Sequence, residues 1–268
     1  MNKKILLKRK PGRFFSFGCS FTGHKYPTWA DILAFDLDVP YKNYGCGGAG
    51  NQYIFNMIME ADNQYNFTAD DLVMICWTNL AREDRFVNGY WITPGNILTQ
   101  GEYDKSFVMK YADIEGYAKR DFASLKATWE FLKFRDSQFH MMKMMDFDVL
   151  NQFDINHTNK IEGVTKEYSF YLEQVLPSFY SILWNNNIET KFQKESHEIH
   201  KKFKDGHPTV LEHLMYLQAV FDYDFKPNTL SKIIENHQQV IDRIRFYTDK
   251  KIPIWEEEAS FKDLVLTK

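Results

Sequence analysis

The chain predicts an α/β protein: a three-layer α/β/α sandwich on a central parallel sheet of four to five strands, with a largely helical and loop insertion. Two observations carry this. Strand-like runs alternate with helical stretches three times in the first part of the chain, as parallel strands joined by right-handed crossovers require. The third run, Leu72 to Trp77, is apolar throughout, as expected of a central strand covered on both faces.

Arg13 to Gly18 is a short β-rich run ending at a glycine, the first strand. Pro27 then opens an amphipathic helix through Phe35, since proline is tolerated in a first helical turn. Val39 to Tyr44 is a second, weaker strand, followed by the glycine-rich Gly45 to Asn51. Tyr53, Ile54, Met57, Ile58 and Ala61 recur at helical spacing, so a helix begins close to Asn51. The turn signal Thr68 to Asp71 introduces the third strand.

From Ala81 to about Gly116 periodicity fades among glycines, prolines and aromatics, which reads as an elaborated loop over the site. Tyr117 to about Lys133 is helical, and Phe139 to Met145 is a fourth strand or the tail of that helix. Glu167 to about Trp184 is a helical candidate broken near Pro177. Pro208 to Phe221 and about Ser231 to Tyr247 are further helices. The expected organisation is one domain over 1–268, with an insertion over about 82–204 (loop 81–116, helical 117–200) and a peripheral helix and tail over 227–268.

At 268 residues the chain can bury a sizeable core. Its 33 basic and 36 acidic residues offer no broad positive field, so nucleic acid is not an expected partner. Only Ile5 to Leu7 is apolar before charge returns at the start, so no export signal is expected, and no membrane-spanning run occurs. Cys19, Cys46 and Cys76 form no Cys-x-x-Cys pair and match no zinc spacing. They suit reduced thiols in a cytoplasm, and neither a metal nor another cofactor is expected. Aromatic residues make up 16% of the chain; most read as core, and some could line a sugar-binding surface.

The chemistry-bearing residues lie at opposite ends. Ser20 follows the first strand, where the C-terminal edge of a parallel sheet gathers ligands. His207 is a candidate base for its hydroxyl, and Asp205 a candidate orienter of the imidazole. An oxyanion needs preorganised donors. Backbone amides of Ser20 and of the turn around Gly48, with the Asn79 side chain after the third strand, could supply them. Arg82 and Arg85 follow closely enough to contact substrate.

Four short blocks together resemble the SGNH/GDSL hydrolase superfamily. Gly18-Cys19-Ser20-Phe21 is similar to its first block, Asn43 to Gly48 to the second, Trp77-Thr78-Asn79 to the third and Asp205-Gly206-His207-Pro208 to the last. The resemblance implies a flavodoxin-like sandwich, with Ser20 as nucleophile, His207 as base, and Gly48 and Asn79 in the oxyanion hole. The blocks also depart from the pattern. Cys19 stands where an aspartate is usual, Trp77 replaces a glycine, Leu80 replaces an aspartate, and Asp205 lies two rather than three residues before the histidine, with Lys204 in the expected place. The acid is thus Asp205, or a backbone carbonyl orients the ring; His213 is an alternative base or a packed residue.

The function expected from residues and resemblance together is serine esterase activity on a small-molecule or glycan ester, with carbohydrate O-acetyl groups the substrate the resemblance favours. Two other readings stand beside it: a catalytically silent glycan-binding or virion-associated module, and an acyl enzyme built on the Cys19 thiol. The histidines at 197 and 200 lack the spacing of a zinc helix and read as a solvated face.

Overall fold

A computed structural model describes residues 7, 9–98, 103–148, 158–183, 206–252 and 260–266. Its centre is a sheet of β1 (Arg13–Gly18), β2 (Tyr41–Gly45), β3 (Asp71–Trp77) and β6 (Gln138–Lys143), in the order β2-β1-β3-β6 with every pairing parallel. Between β3 and β6 lie a two-stranded antiparallel hairpin, β4 (Arg85–Val87) and β5 (Tyr90–Ile92), and two helices, α3 (Lys105–Tyr111) and α4 (Ile114–Phe134). The other helices are α1 (Trp29–Leu37), α2 (Asn51–Tyr65), α5 (Thr158–Glu167), α6 (Ser169–Leu172), α7 (Phe179–Leu183), α8 (Val210–Val220) and α9 (Pro227–Asp249).

The three layers follow from the two-residue period of β1. Phe15 and Phe17 point to one face, where their rings meet Phe67 and that of Phe15 also meets Tyr65 at the end of α2; α4 packs on α2. Phe14 points to the other face and meets Trp29 of α1, on which α8 and α9 pack. All seven residues of β3 are buried, so its apolar run lies between both layers. Burial of each large apolar side chain there contributes roughly 1.5–3 kcal/mol.

The two sheet edges are handled differently. β2 is only partly covered and carries Lys42 and Asn43 at its most exposed positions, polar residues that discourage pairing with another chain. β6 is flanked by the 175–176 segment, where Val175 bridges Met141 and the Leu176 amide donates to the Met141 carbonyl at 2.9 Å. The fourth strand is therefore a strand, and its pairing with β3 is the reason: Met141 and Met142 are core residues on the ladder with the fully buried β3.

Three expectations need correction. The described residues of the 81–116 span, 81–98 and 103–116, are not an elaborated loop but a hairpin followed by α3 and the start of α4. The signal was the Asn88-Gly89 pair, with φ of 53° and 89°, which suits the two-residue turns that match strand twist. Strands of three residues were too short to show alternation. The helical stretch expected from Glu167, broken near Pro177, is two short helices, α6 and α7, on either side of that proline, and a further helix, α5, precedes them from Thr158. α8 begins at Val210 rather than Pro208, because Thr209 caps it: its hydroxyl accepts from the Glu212 amide while the Glu212 carboxylate accepts from the Thr209 amide at 2.7 Å.

Candidate active site

β1 lies between β2 and β3, and the chain leaves it first toward β2 and later toward β3. Strand order thus reverses at the C-terminal end of β1, the point at which open parallel sheets form a crevice. Gly18, Gly45 and Cys76 stand in register on that rim. Directly beyond it the Cys19 carbonyl accepts from the Thr22 amide at 2.9 Å and the Gly23 amide at 3.1 Å, a tight turn that presents Ser20 half-buried at its tip. The turn presses against the end of β2. A β-carbon on Gly45 would lie 2.3 Å from the Gly23 nitrogen, so the approach requires glycine.

His207 reaches this turn from 187 residues away, and its Nε2 lies 2.7 Å from Ser20 Oγ. The segment bearing it is anchored where the Tyr26 hydroxyl donates to the Pro208 carbonyl at 3.3 Å and where Thr209 starts α8. Aromatic rings frame the imidazole. His24 stacks on it, with centroids 4.3 Å apart and planes at 19°, and Phe21 lies at 5.7 Å. His213 is buried between the edges of Phe21 and Phe179, and burial, with the nearby His24 and His207, holds its imidazole well below the usual range. It is a core residue, not a second base. Asp205 lies outside the described residues, as do Lys204 and the histidines at 197 and 200.

Asn79 follows β3 on the same rim and is 4% exposed. Its stem is fixed by Asn51 at the start of α2, whose side chain accepts from the Thr78 amide at 2.8 Å and donates to the Thr78 carbonyl at 3.2 Å. Asn51 also donates to Asp121 at 2.9 Å, Asp121 accepts from Arg120 Nε at 2.7 Å, and Arg120 Nη2 donates to the Arg82 carbonyl at 2.8 Å. Arg82 closes the ring by donating from Nε to Asn79 Oδ1 at 2.8 Å. Burial pushes the Asp121 carboxyl up to about 6, with Arg120 opposing the rise.

The glycine-rich loop joins this network. Gly48 has φ of +72°, and a β-carbon there would stand 2.1 Å from the Thr93 carbonyl oxygen. The Thr93 hydroxyl donates to the Gly47 carbonyl at 2.8 Å, so the base of the β4–β5 hairpin braces the loop. Gly50 caps α2 without a side chain, and Asp84 does the capping from elsewhere, accepting from the Gly50 and Tyr53 amides at 2.8 Å each. Burial raises the Asp84 carboxyl while those two amides pull it down.

The geometry thus brings Ser20 and His207 into direct contact and sets Gly48 and Asn79 on adjoining segments of one rim. Of Arg82 and Arg85, the two candidates for a substrate contact, Arg82 is 8% exposed and turns its guanidinium inward to Asn79 and to the Ala49 carbonyl at 2.7 Å. Arg85 remains on the exposed hairpin, 3.5 Å from Glu83 and over the ring of Phe107. Cys19 is fully buried and directs its thiol to Met144 Sδ at 3.6 Å, so the acyl enzyme built on Cys19 is set aside. Sequence reading missed His24, Asn51, Arg120 and Asp121. His24 lies just past the Ser20 turn and could have been found there; the other three looked like ordinary polar positions of helices. Among the described residues no cluster of three His, Cys, Asp or Glu could hold a metal ion, and no helix is long and apolar enough to cross a membrane.

No family model matches the chain, and neither does any curated protein. Solved structures do. A lipolytic protein of the G-D-S-L family from Veillonella parvula is 14% identical, covers 77% of this chain and 94% of its own, and gives a TM-score of 0.43. A psychrotrophic esterase from Pseudoalteromonas is 10% identical over 78% of this chain and 96% of its own, with a TM-score of 0.41. A mutant of an acetyl-xylooligosaccharide esterase from Geobacillus is 14% identical over 81% and 98%, also at 0.41. Likenesses this distant support no residue role or substrate, which rest on the chain's own geometry.

Proposed function

We propose that the protein is a serine esterase in which Ser20 is the nucleophile and His207 the base. The observation that carries the reading is the 2.7 Å contact between Ser20 Oγ and His207 Nε2, made across 187 residues at the reversal point of a parallel sheet.

In this reading Nε2 accepts the hydroxyl proton, so the other ring proton sits on Nδ1. Ser20 Oγ attacks the acyl carbon as its proton passes to His207. The carbonyl oxygen becomes an oxyanion that accepts from the Ser20 and Gly48 amides and from Asn79 Nδ2. The tetrahedral intermediate collapses, the bond to the alcohol oxygen breaks, and His207 returns the proton to that oxygen. Water then attacks the acyl-serine by the same route, releasing the acid and restoring Ser20. Asp205 is the proposed orienter of His207.

An O-acetylated carbohydrate is the proposed substrate class. It suits the β4–β5 hairpin braced against Gly47 and Gly48, which exposes Phe86 and Tyr90, each 59% accessible, as rings on which a sugar can pack. The test is hydrolysis of p-nitrophenyl acetate by the purified protein. Ser20→Ala is expected to abolish turnover and labelling by a fluorophosphonate while the melting temperature holds. Turnover that survives Ser20→Ala would overturn the nucleophile. A wild-type protein inert to both reagents that still binds sugar would favour the silent glycan-binding module.

A further inference from the structure

We propose that Arg82 is a positioning residue that orients the Asn79 carboxamide and ties it to the glycine-rich loop, making the two sides of the oxyanion site one rigid unit. The inference rests on the esterase reading for its catalytic meaning, but the contact itself can be tested separately.

A carboxamide has an accepting end and a donating end of nearly the same shape, and only its partners decide which way it points. Here the partner is a guanidinium, which donates and never accepts. Arg82 Nε lies 2.8 Å from Asn79 Oδ1; the flipped amide would set two donors, one of them cationic, against each other. Nδ2 is therefore held on the side away from Arg82. The same guanidinium donates from Nη1 to the carbonyl of Ala49, the residue after Gly48, at 2.7 Å. One planar group thus spans the segment after β3 and the loop after β2.

Arg82 is itself held from behind. Its carbonyl accepts from Arg120, and its Nη2 lies 3.9 Å from Met144 Sδ. Both Arg82 and Asn79 are nearly excluded from water, so these charge-assisted bonds are strong and costly to leave unmade. Lysine would keep the charge but lose the fork, since a single ammonium cannot present two coplanar donors to Asn79 and Ala49.

Two arms test this on the full chain. In the kinetic arm, with p-nitrophenyl acetate, Arg82→Lys is expected to lower kcat by about 10²-fold, with KM changed less than about threefold, the size expected when an oxyanion donor is misplaced. Asn79→Asp keeps an acceptor for Arg82 but removes the donor, and should lose as much or more. The double variant should lose less than the product of the two single losses, because Arg82 acts on the site in large part through Asn79. Losses that multiply, or a kcat for Arg82→Lys within twofold of wild type, would overturn the proposal while leaving the Ser20 result untouched.

In the melting arm, which needs no activity and no Arg82 variant, Asn79→Asp should melt near the wild-type temperature. Asn79→Leu, which strands the buried guanidinium, should melt clearly lower. Equal melting temperatures for the two would show that Arg82 does not depend on Asn79, and would end the proposal even in a protein inert to esters.

Discussion

The two flanks of Ser20 are built from different materials. On the flank proposed to bind the oxyanion, Asn79, Arg82, Arg120, Asp121, Asn51 and Thr78 form a closed ring of hydrogen bonds, most of it buried. On the flank of the proposed base, His207 is half-buried and rests among rings, with His24 stacked on it and Phe21, which also meets His213, beside it. The difference matches what each flank is proposed to do. Donors to a developing charge work best when fixed and dry, because they need not reorganise as the reaction proceeds. A base must take up and release a proton, and water must reach it for the second half of the reaction. A polar ring gives rigidity through directed hydrogen bonds, whereas the stacked His24 ring supports the imidazole through its face.

The sharpest break falls on the base flank. His207→Gln is expected to lower kcat by about 10²–10⁴-fold with little change in melting temperature, since the side chain is only half-buried. Stopped-assay kinetics and thermal melts on one preparation check both halves; retained turnover would remove His207 from the chemistry.

The oxyanion flank should instead show its role in stability. Burial pushes the Asp121 carboxyl up from 3.8 to about 6, so the folded protein keeps a proton that the unfolded chain has already released. The stability this group contributes is complete below about pH 4 and is lost as pH rises through about 6, a tenfold difference in proton affinity between the two states corresponding to about 1.4 kcal/mol. Urea midpoints measured from pH 4 to 7 should therefore fall less steeply in Asp121→Asn than in wild type. Parallel curves would place the coupling elsewhere.

Gly48→Ala should cost about 1–3 kcal/mol in urea unfolding, because alanine is strained at a φ of +72° and its β-carbon would collide with the Thr93 carbonyl. Turnover should fall with it, as the loop withdraws from the hairpin. An unchanged midpoint would mean that the loop shifts freely.

The smallest effect is expected at His24. An aromatic contact adds about 0.5–1.5 kcal/mol, so His24→Ala should slow turnover by only about two- to tenfold, and His24→Phe, which keeps a ring on His207, should restore most of it. Equal rates for the alanine and phenylalanine variants would remove the stack from the account of the base flank.

The parallel α/β architecture was legible in the chain itself because it is written in local periodicity. The unbroken apolar run of β3 and the helical spacing along α2 follow from which residues must avoid water, and the short β-rich run of β1 is closed by its glycine. Ser20 and Asn79 could be singled out because each directly follows such a strand, where the rim must lie. The β4–β5 hairpin escaped because three-residue strands are too short to show a period, although Asn88-Gly89 marked its turn. What only the tertiary structure decided was pairing. Whether His207 meets Ser20 depends on the path of 187 intervening residues, and no local pattern encodes it. Arg82 shows the same limit: as a charged residue near the rim it suggested a contact with substrate, yet the fold surrounds it with Asn79, Ala49 and Met144. A side chain's preference for water is a property of the residue, but its partner is a property of the fold.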